Sequence, residues 1–390
     1  MRYFDIILVF GYFRSATAFL SIVRHFGEEL RVGILPIDAE PTLKSKTGKA
    51  HLQYIQLCKQ FGAHVVELGE TVQAKLMVVQ QFPYPDVLVE RVTNSVTSLQ
   101  CVGMMTLAMA GMEQHDRFLS QFHIRKVYVP SKRFMDFLLQ QRHADARYSG
   151  VEIVEVGLPF AEYPVFPEFK TDWLIAAPTL FSFYTERGKQ DFLRNVIKLL
   201  SKIPSSDNVV YKPHNGNSID YFAPRFFYWI ANLLSPLPQI EQLLTRFCAS
   251  LPTHLKIHVE KIYTSYLHQV VLRRAVPMAK LTPYAEMSLE AFLPGVEKGV
   301  VGGLSNTIWG SLYFKLPFYN CVDARHRYGD SKLLKKSSEF LLDLNLKYFG
   351  VPFCNGDIDN GSTCDGIISE EEREGDLVAS LREDLSHLHA

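Results

Sequence analysis

Three short segments in the C-terminal half of the sequence carry residue types able to hold a phosphate. The first is Tyr211-Lys212-Pro213-His214-Asn215-Gly216, at the end of the apolar run 208–212. Proline has no amide hydrogen and stops a strand ladder, so Lys212 and His214 are expected at a strand's carboxyl end. A cation and an imidazole there can neutralise a phosphate or help it leave. The plainer alternative is a surface turn with an incidental histidine. The second segment is Gly302-Gly303-Leu304-Ser305-Asn306-Thr307, between an apolar strand and a helix. Its glycines let backbone approach a ligand, and the amides at the helix start join the hydroxyls of Ser305 and Thr307, with Asn306 between them, as an anion site. Ser305 as a simple helix cap satisfies the same pattern, and the two roles are compatible. No Gly-Lys-Ser/Thr follows, so this is not a Walker loop, and the GxGxxG spacing of dinucleotide binders is missing. The third segment is Pro283-Tyr284-Ala285-Glu286-Met287-Ser288-Leu289-Glu290. Glu286 or Glu290 can hold ribose hydroxyls while the backbone reads a base edge; a helix start with acid at the positive end of its dipole explains either residue equally well.

These segments need a scaffold, and the hydrophobic pattern supplies one. Residues 5–10 (DIILVF) form a continuous apolar run, expected of a strand buried on both faces, and a helical pattern follows over 15–26. Further strands are expected at 31–37, 64–68, 86–90, 126–129 and 151–156, with helices over 50–61 and 93–112. Strands alternating with helices imply βαβ units and a mainly parallel sheet. The proline-rich stretch 159–167 breaks the rhythm. It restarts with a strand at 173–177, a helix over 190–203, and strands at 208–212, 279–281, 299–302 and 317–322, with a short helix at 288–293 and another after Ser305. The expected architecture is therefore α/β, two Rossmann-like domains facing a central cleft: residues 1–160, a linker at 161–172, and residues 173–390 with a mainly helical insertion at 218–277. Ligands of such sheets bind beyond the carboxyl ends of the strands.

Composition narrows the function classes. With 390 residues the chain can bury two cores, and 47% hydrophobic against 21% charged residues argues against disorder. Lys+Arg and Asp+Glu balance at 41 each, so no global basic field recruits nucleic acid. The six cysteines form no CxxC pair and no zinc spacing, and most sit in apolar contexts that suit buried reduced thiols. Cys354 and Cys364 flank a polar loop and could approach each other. The N-terminus lacks signal-peptide anatomy and no apolar stretch reaches membrane-spanning length, so a cytoplasmic protein is expected.

The three segments, in this order, resemble those of bacterial GT-B glycosyltransferases that use CMP-activated acidic sugars, the sialyltransferase, polysialyltransferase and Kdo-transferase group. In that group a His-Pro motif ends one strand, a Pro/Glu segment follows, and a Ser-Ser or Ser-Thr motif opens a later helix. The resemblance covers mainly residues 173–322. It implies that His214, Ser305 and Thr307 grip the CMP phosphate and that Glu286 or Glu290 holds the cytidine. Asn215 stands where the group has proline, Asn306 separates the hydroxyl pair, and the long stretch from His214 to Ser305 suggests an insertion. CDP-glycerol-type transferases carry a similar Lys-Pro-His signature and compete closely.

A transfer of this kind needs a carboxylate or histidine to deprotonate the acceptor, or a carboxylate nucleophile. The candidates rank Glu90, which ends the expected strand 86–90, then Asp220 beyond the His214 loop, then Asp38 after the strand 31–37. Each is equally readable as a solvated or salt-bridged acid. The turn Gly11-Tyr12-Phe13-Arg14-Ser15 can admit an acceptor or donor carboxylate beside Arg14 and Ser15; a tight turn capped by Ser15 is the slightly favoured alternative. The insertion is dense in aromatics (Tyr221, Phe222, Phe226, Phe227, Tyr228, Trp229) with Lys256, Lys261, Arg273 and Arg274 nearby. That mixture suits contact with the inner face of the cytoplasmic membrane, although a hairpin packed on the core is the commoner outcome. The acidic tail from Asp357 is given no function.

The reading is thus a metal-free, cofactor-free transferase that moves Kdo or sialic acid to a capsule or lipopolysaccharide acceptor. The alternatives are CDP-glycerol or a UDP-sugar as donor and, from another class, a two-lobe small-molecule binding protein.

Overall fold

The computed structural model describes residues 1–10, 16–37, 55–80, 86–104, 119–142, 148–157, 166, 168–176, 186–212, 280–281, 289–303, 307–322, 353–354, 358 and 376–388. They build two doubly wound, Rossmann-like α/β units, each around its own parallel sheet.

The first sheet is ordered β3-β2-β1-β4-β5-β6-β7. Its strands are β1 (Arg2–Phe10), β2 (Val32–Pro36), β3 (His64–Val65), β4 (Val72–Gln80), β5 (Val96–Met104), β6 (Lys126–Val129) and β7 (Glu152–Glu155). Every pairing is parallel. In β1, Ile6, Ile7, Leu8 and Val9 are successive and all fully buried, as a central strand covered on both faces requires. Helix α1 (Ala16–Phe26) buries Phe19, Leu20, Ile22, Val23 and Phe26, the stripe that its 3.6-residue period predicts. The short path from β3 to β4 turns where the Glu70 amide donates to the Glu67 carbonyl (3.0 Å) and Gly69 adopts φ +108°. Only glycine takes up that left-handed backbone without strain.

Around β4 the structure corrects the sequence reading. Residues 86–90 are not a strand; they open helix α2 (Asp86–Ser95), and the expected helix 93–112 yields to strand β5 over its first half. The run Asp86-Val87-Leu88-Val89-Glu90 fits a two-residue period, but the residues it buries are Val89, Val92 and Ser95, spaced by a helical turn, while Val87 is 67% exposed. Strand β4, a central member of the sheet, is absent from the sequence reading. Its weak alternation over Val72–Lys75 passes into a run buried on both faces, which periodicity alone does not separate from a helix.

The C-terminal segment is also placed differently. The sequence reading keeps residues to 390 with the second domain, but the described residues 376–388 group with the first unit. Helix α6 (Leu377–His387) is capped by Asp376, whose side chain accepts from the Ala379 amide (2.9 Å). It turns Leu377, Val378, Leu381 and Leu385 inward and packs against α1 and β4. On the same face the buried Asp384 accepts from Lys126 Nζ (2.7 Å) and from the Tyr128 hydroxyl, tying the helix to β6.

The second sheet is ordered β10-β9-β8-β11-β12, again parallel throughout. It comprises β8 (Thr171–Ala176), β9 (Val209–Lys212), β10 (Lys280–Leu281), β11 (Val296–Gly302) and β12 (Phe318–Asn320). Helix α4 (Glu186–Leu200) lays Phe192, Val196, Leu199 and Leu200 on Trp173, Ile175, Val209 and Tyr211. Each such large side chain contributes about 1.5–3 kcal/mol by leaving water. The expected helix 288–293 is two 3-10 turns, Leu289–Ala291 and Leu293–Gly295. Helix α5 (Thr307–Tyr313) connects β11 to β12, and α3 (Lys132–Arg142) connects β6 to β7.

The amino edge of this sheet is pinned by charge. Lys298 Nζ lies 2.7 Å from Asp207 Oδ1 and 2.9 Å from Asp172 Oδ1, so one ammonium joins β11 to the starts of β8 and β9. Asp207 also accepts from Trp173 Nε1 (2.8 Å), and Asp172 from the Asn208 amide (2.8 Å). The Asn208 amide and then Lys298 hold the Asp172 carboxyl below its ordinary range; Lys298 and then Trp173 do the same for Asp207. Both folded values are depressed, so the stabilisation is present above the ordinary carboxylate range and lost as pH falls through the folded values. Protection of the amides in the peptides spanning β8 and β9, taken relative to their intrinsic exchange rates at each pH, is therefore expected to fall below the ordinary carboxylate range. Lys298→Met should flatten that acid response, and an equally steep response in the variant would refute the pin.

Candidate functional site

Doubly wound sheets bind ligands beyond the carboxyl ends of their strands, where the strand order reverses. In the second unit that reversal lies between β8 and β11. Register fixes what stands there. Lys212 pairs with Ala176, Ala176 with Gly302, and Gly302 with Asn320, so the last residues of β9, β8, β11 and β12 form one row. Lys212 is 4% exposed, an ammonium stem drawn into the end of the sheet. Burying a cation is costly unless negative charge or hydrogen bonds meet it, so the end of β9 is a place where charge has to be balanced.

Gly302 is the tight point of the row. A methyl group there would come to 3.2 Å from the Ala176 carbonyl oxygen and 3.3 Å from Phe318 Cζ. Gly302 is itself buried, and its missing side chain is what lets β11 pack against Ala176 and Phe318 at the reversal. Thr307, buried, is the first residue of α5, and its carbonyl accepts from Ser311 Oγ (2.7 Å).

At the β12 end of the row the structure reveals residues that sequence reasoning missed. Asn320 is buried, and its Oδ1 accepts from the Val322 amide (3.2 Å). Buried Asn195 on α4 donates from Nδ2 to the Cys321 carbonyl (3.2 Å). The Cys354 amide donates to the Asn320 carbonyl (2.7 Å). The signal was an asparagine inside the apolar run Pro317-Phe318-Tyr319-Asn320-Cys321-Val322. A buried amide in such a run needs partners of its own.

Among the sequence candidates, Lys212 at the end of β9 and Thr307 at the start of α5 are described in this unit. His214, Asp220, Glu286, Ser305, Asn306, Arg14, Ser15 and Asp38 lie outside the described residues. By chain connection His214 follows two residues after Lys212, and Ser305 and Asn306 join Gly303 to Thr307. Arg14 and Ser15 join β1 to α1, and the first sheet reverses its own order between β1 and β4. Glu290 falls in the turn Leu289–Ala291, and residues Glu290–Pro294 group with the first unit rather than with the second.

Glu90 requires a correction. It ends no strand; it sits midway along α2, exposed, with its carbonyl accepting from Thr93 Oγ1 (3.1 Å). The reason for ranking it first, a position at a strand's carboxyl end, does not hold. Among the described residues no three His, Cys, Asp or Glu side chains cluster as metal ligands. No described helix is long and apolar enough to cross a membrane.

No protein-family model matches the chain, and no curated protein matches it. Solved structures overlap it at low depth. A sialyltransferase from Photobacterium damsela has a TM-score of 0.42 at 9% identity, covering 88% of this chain and 79% of its own. UDP-N-acetylglucosamine 2-epimerase from Rickettsia bellii has a TM-score of 0.41 at 7% identity, covering 100% and 97%. Arabidopsis thaliana UGT89C1, solved with UDP-L-rhamnose, has a TM-score of 0.39 at 8% identity, covering 99% and 93%. Overlap of this depth has no weight on the chemistry, and the fold stands on its own strand order.

Proposed function

We propose that this chain is a nucleotide-sugar-dependent glycosyltransferase whose donor phosphate is held at the carboxyl edge of the second sheet. The donor is a CMP-activated acidic sugar, Kdo or sialic acid, and the acceptor a bacterial surface glycan or glycolipid. The observation that carries the reading is the row Lys212–Ala176–Gly302–Asn320, which sets a lysine and a glycine on either side of the strand at the reversal, each at the start of one of the segments read as phosphate-holding.

In this reading Lys212 and His214 supply positive charge to the phosphate, and Ser305, Asn306 and Thr307 supply donors from the segment after Gly302. Fixed donors aimed at a leaving phosphate act without reorganisation as its charge develops. Glu286 or Glu290 takes the ribose, and Arg14 with Ser15 takes a carboxylate of donor or acceptor. Asp220 and Asp38 are the candidates for the base that deprotonates the acceptor, now ahead of Glu90.

The test is thermal stabilisation by CMP, CDP, UDP, UMP, GDP and NAD, since a ligand that binds only the native state raises its melting temperature. A shift with CMP alone, lost in His214→Ala and Ser305→Ala, is the expected result. A preference for CDP or UDP would move the donor to CDP-glycerol or a UDP-sugar on the same site. Absence of any shift would remove the transferase reading and favour a two-lobe protein that binds another small molecule.

A further inference from the structure

The second unit holds a pair of groups that the phosphate site does not use. Cys321 follows β12 directly, and both Cys321 and Cys354 are thiols fully buried in the same apolar cluster. Phe353 forms a parallel bridge with Asn320, and the Cys354 amide donates to the Asn320 carbonyl at 2.7 Å. One residue further along each segment, Cys321 and Cys354 therefore fall side by side on the same face. Neighbouring strands run about 4.8 Å apart, inside the roughly 4.4–6.8 Å that Cα atoms of a disulfide span. The two thiols also share one buried apolar cluster, with no other described cysteine in it. The sequence alone suggested Cys364 as the neighbour of Cys354; Cys364 lies outside the described residues.

We propose that Cys321 and Cys354 are a disulfide-forming pair that responds to a small two-electron oxidant such as hydrogen peroxide. One sulfur attacks the peroxide, the O–O bond breaks, and a sulfenic acid forms with release of water. The second sulfur then displaces the sulfenic hydroxyl, which leaves as a second water while the S–S bond forms. The two thiols lose two electrons and two protons, and the peroxide accepts both. The product fastens the segment at Phe353 and Cys354 to the carboxyl end of β12, one residue beyond the row that contains Gly302 and Lys212. The hydrogen bond with Cys354, and then burial, hold the Cys321 thiol well above its ordinary range. Both thiols are fully buried, so reaction is slow beside that of an exposed thiol.

The experiment uses the wild-type chain, incubated with hydrogen peroxide, quenched, alkylated after denaturation and mapped by mass spectrometry. The expected product is one cross-linked peptide joining Cys321 to Cys354, lighter by two hydrogens and abolished by reduction. Two fewer than the six thiols should then be titratable after denaturation. Cys101→Ser, a change at a half-buried thiol of the first sheet, should leave the cross-link in place. Recovery of Cys321 and Cys354 as separate alkylated or over-oxidised peptides, after exposure long enough to oxidise other cysteines, would overturn the pairing.

Discussion

Asp384→Ala is expected to lower the stability of the first unit by about 3 kcal/mol, read as a fall in the urea midpoint. The carboxylate is buried, with Lys126 Nζ 2.7 Å from one oxygen and the Tyr128 hydroxyl on the other. Removing it leaves an ammonium and a phenol with the cost of their burial and without the partner that offset it. Breaking a buried pair typically costs about 3–5 kcal/mol, and the low end applies because Glu152 stays 3.6 Å from Lys126. Burial alone would lower the Lys126 pKa, but the hydrogen bond and charge of Asp384 outweigh it and hold the value above the ordinary lysine range. A raised folded value means that the stabilisation is complete below that range and fades only as pH climbs through it. Lys126→Met with Asp384→Leu should recover most of the loss, because the cost lies in the orphaned charge rather than in the absent attraction. An unchanged midpoint in Asp384→Ala would show that α6 is held by its apolar face alone.

Lys212→Met should abolish most of the stabilisation by whichever nucleotide binds, with affinity falling roughly ten- to a hundredfold, as expected for losing a hydrogen bond to a charged group. Methionine keeps the length and apolar body of the stem at a position only 4% exposed, and the urea midpoint of the variant measures what loss of the charge costs the fold. That choice separates binding from folding, which Lys212→Ala would not. Unaltered nucleotide stabilisation in Lys212→Met would place the phosphate away from this edge of the sheet.

Much of this chain was legible in its residues. The runs DIILVF, KVYV, NVVYK and GVVG read as buried strands because parallel sheets are covered on both faces and need no alternation. The stripe over α1 read as a helix because its apolar residues return every turn. Where the pattern served two periods the reading failed: residues 86–90 looked extended, although burial follows Val89, Val92 and Ser95. For the site, the end of β9 at Lys212 was readable from Pro213, which cannot continue a ladder.

Other features follow from no local pattern. Strand order and register are pairings between segments distant in sequence, so neither the reversal between β8 and β11 nor the row that joins Lys212 to Asn320 can be read along the chain. The return of α6 to the first unit depends on a carboxylate at 384 meeting a lysine at 126, and the Cys321–Cys354 pair on one bridge between β12 and residue 353. Local periodicity reports which face of an element is apolar. Only the folded chain decides what that face meets, because burial free energy is gained by contact between elements and not within them.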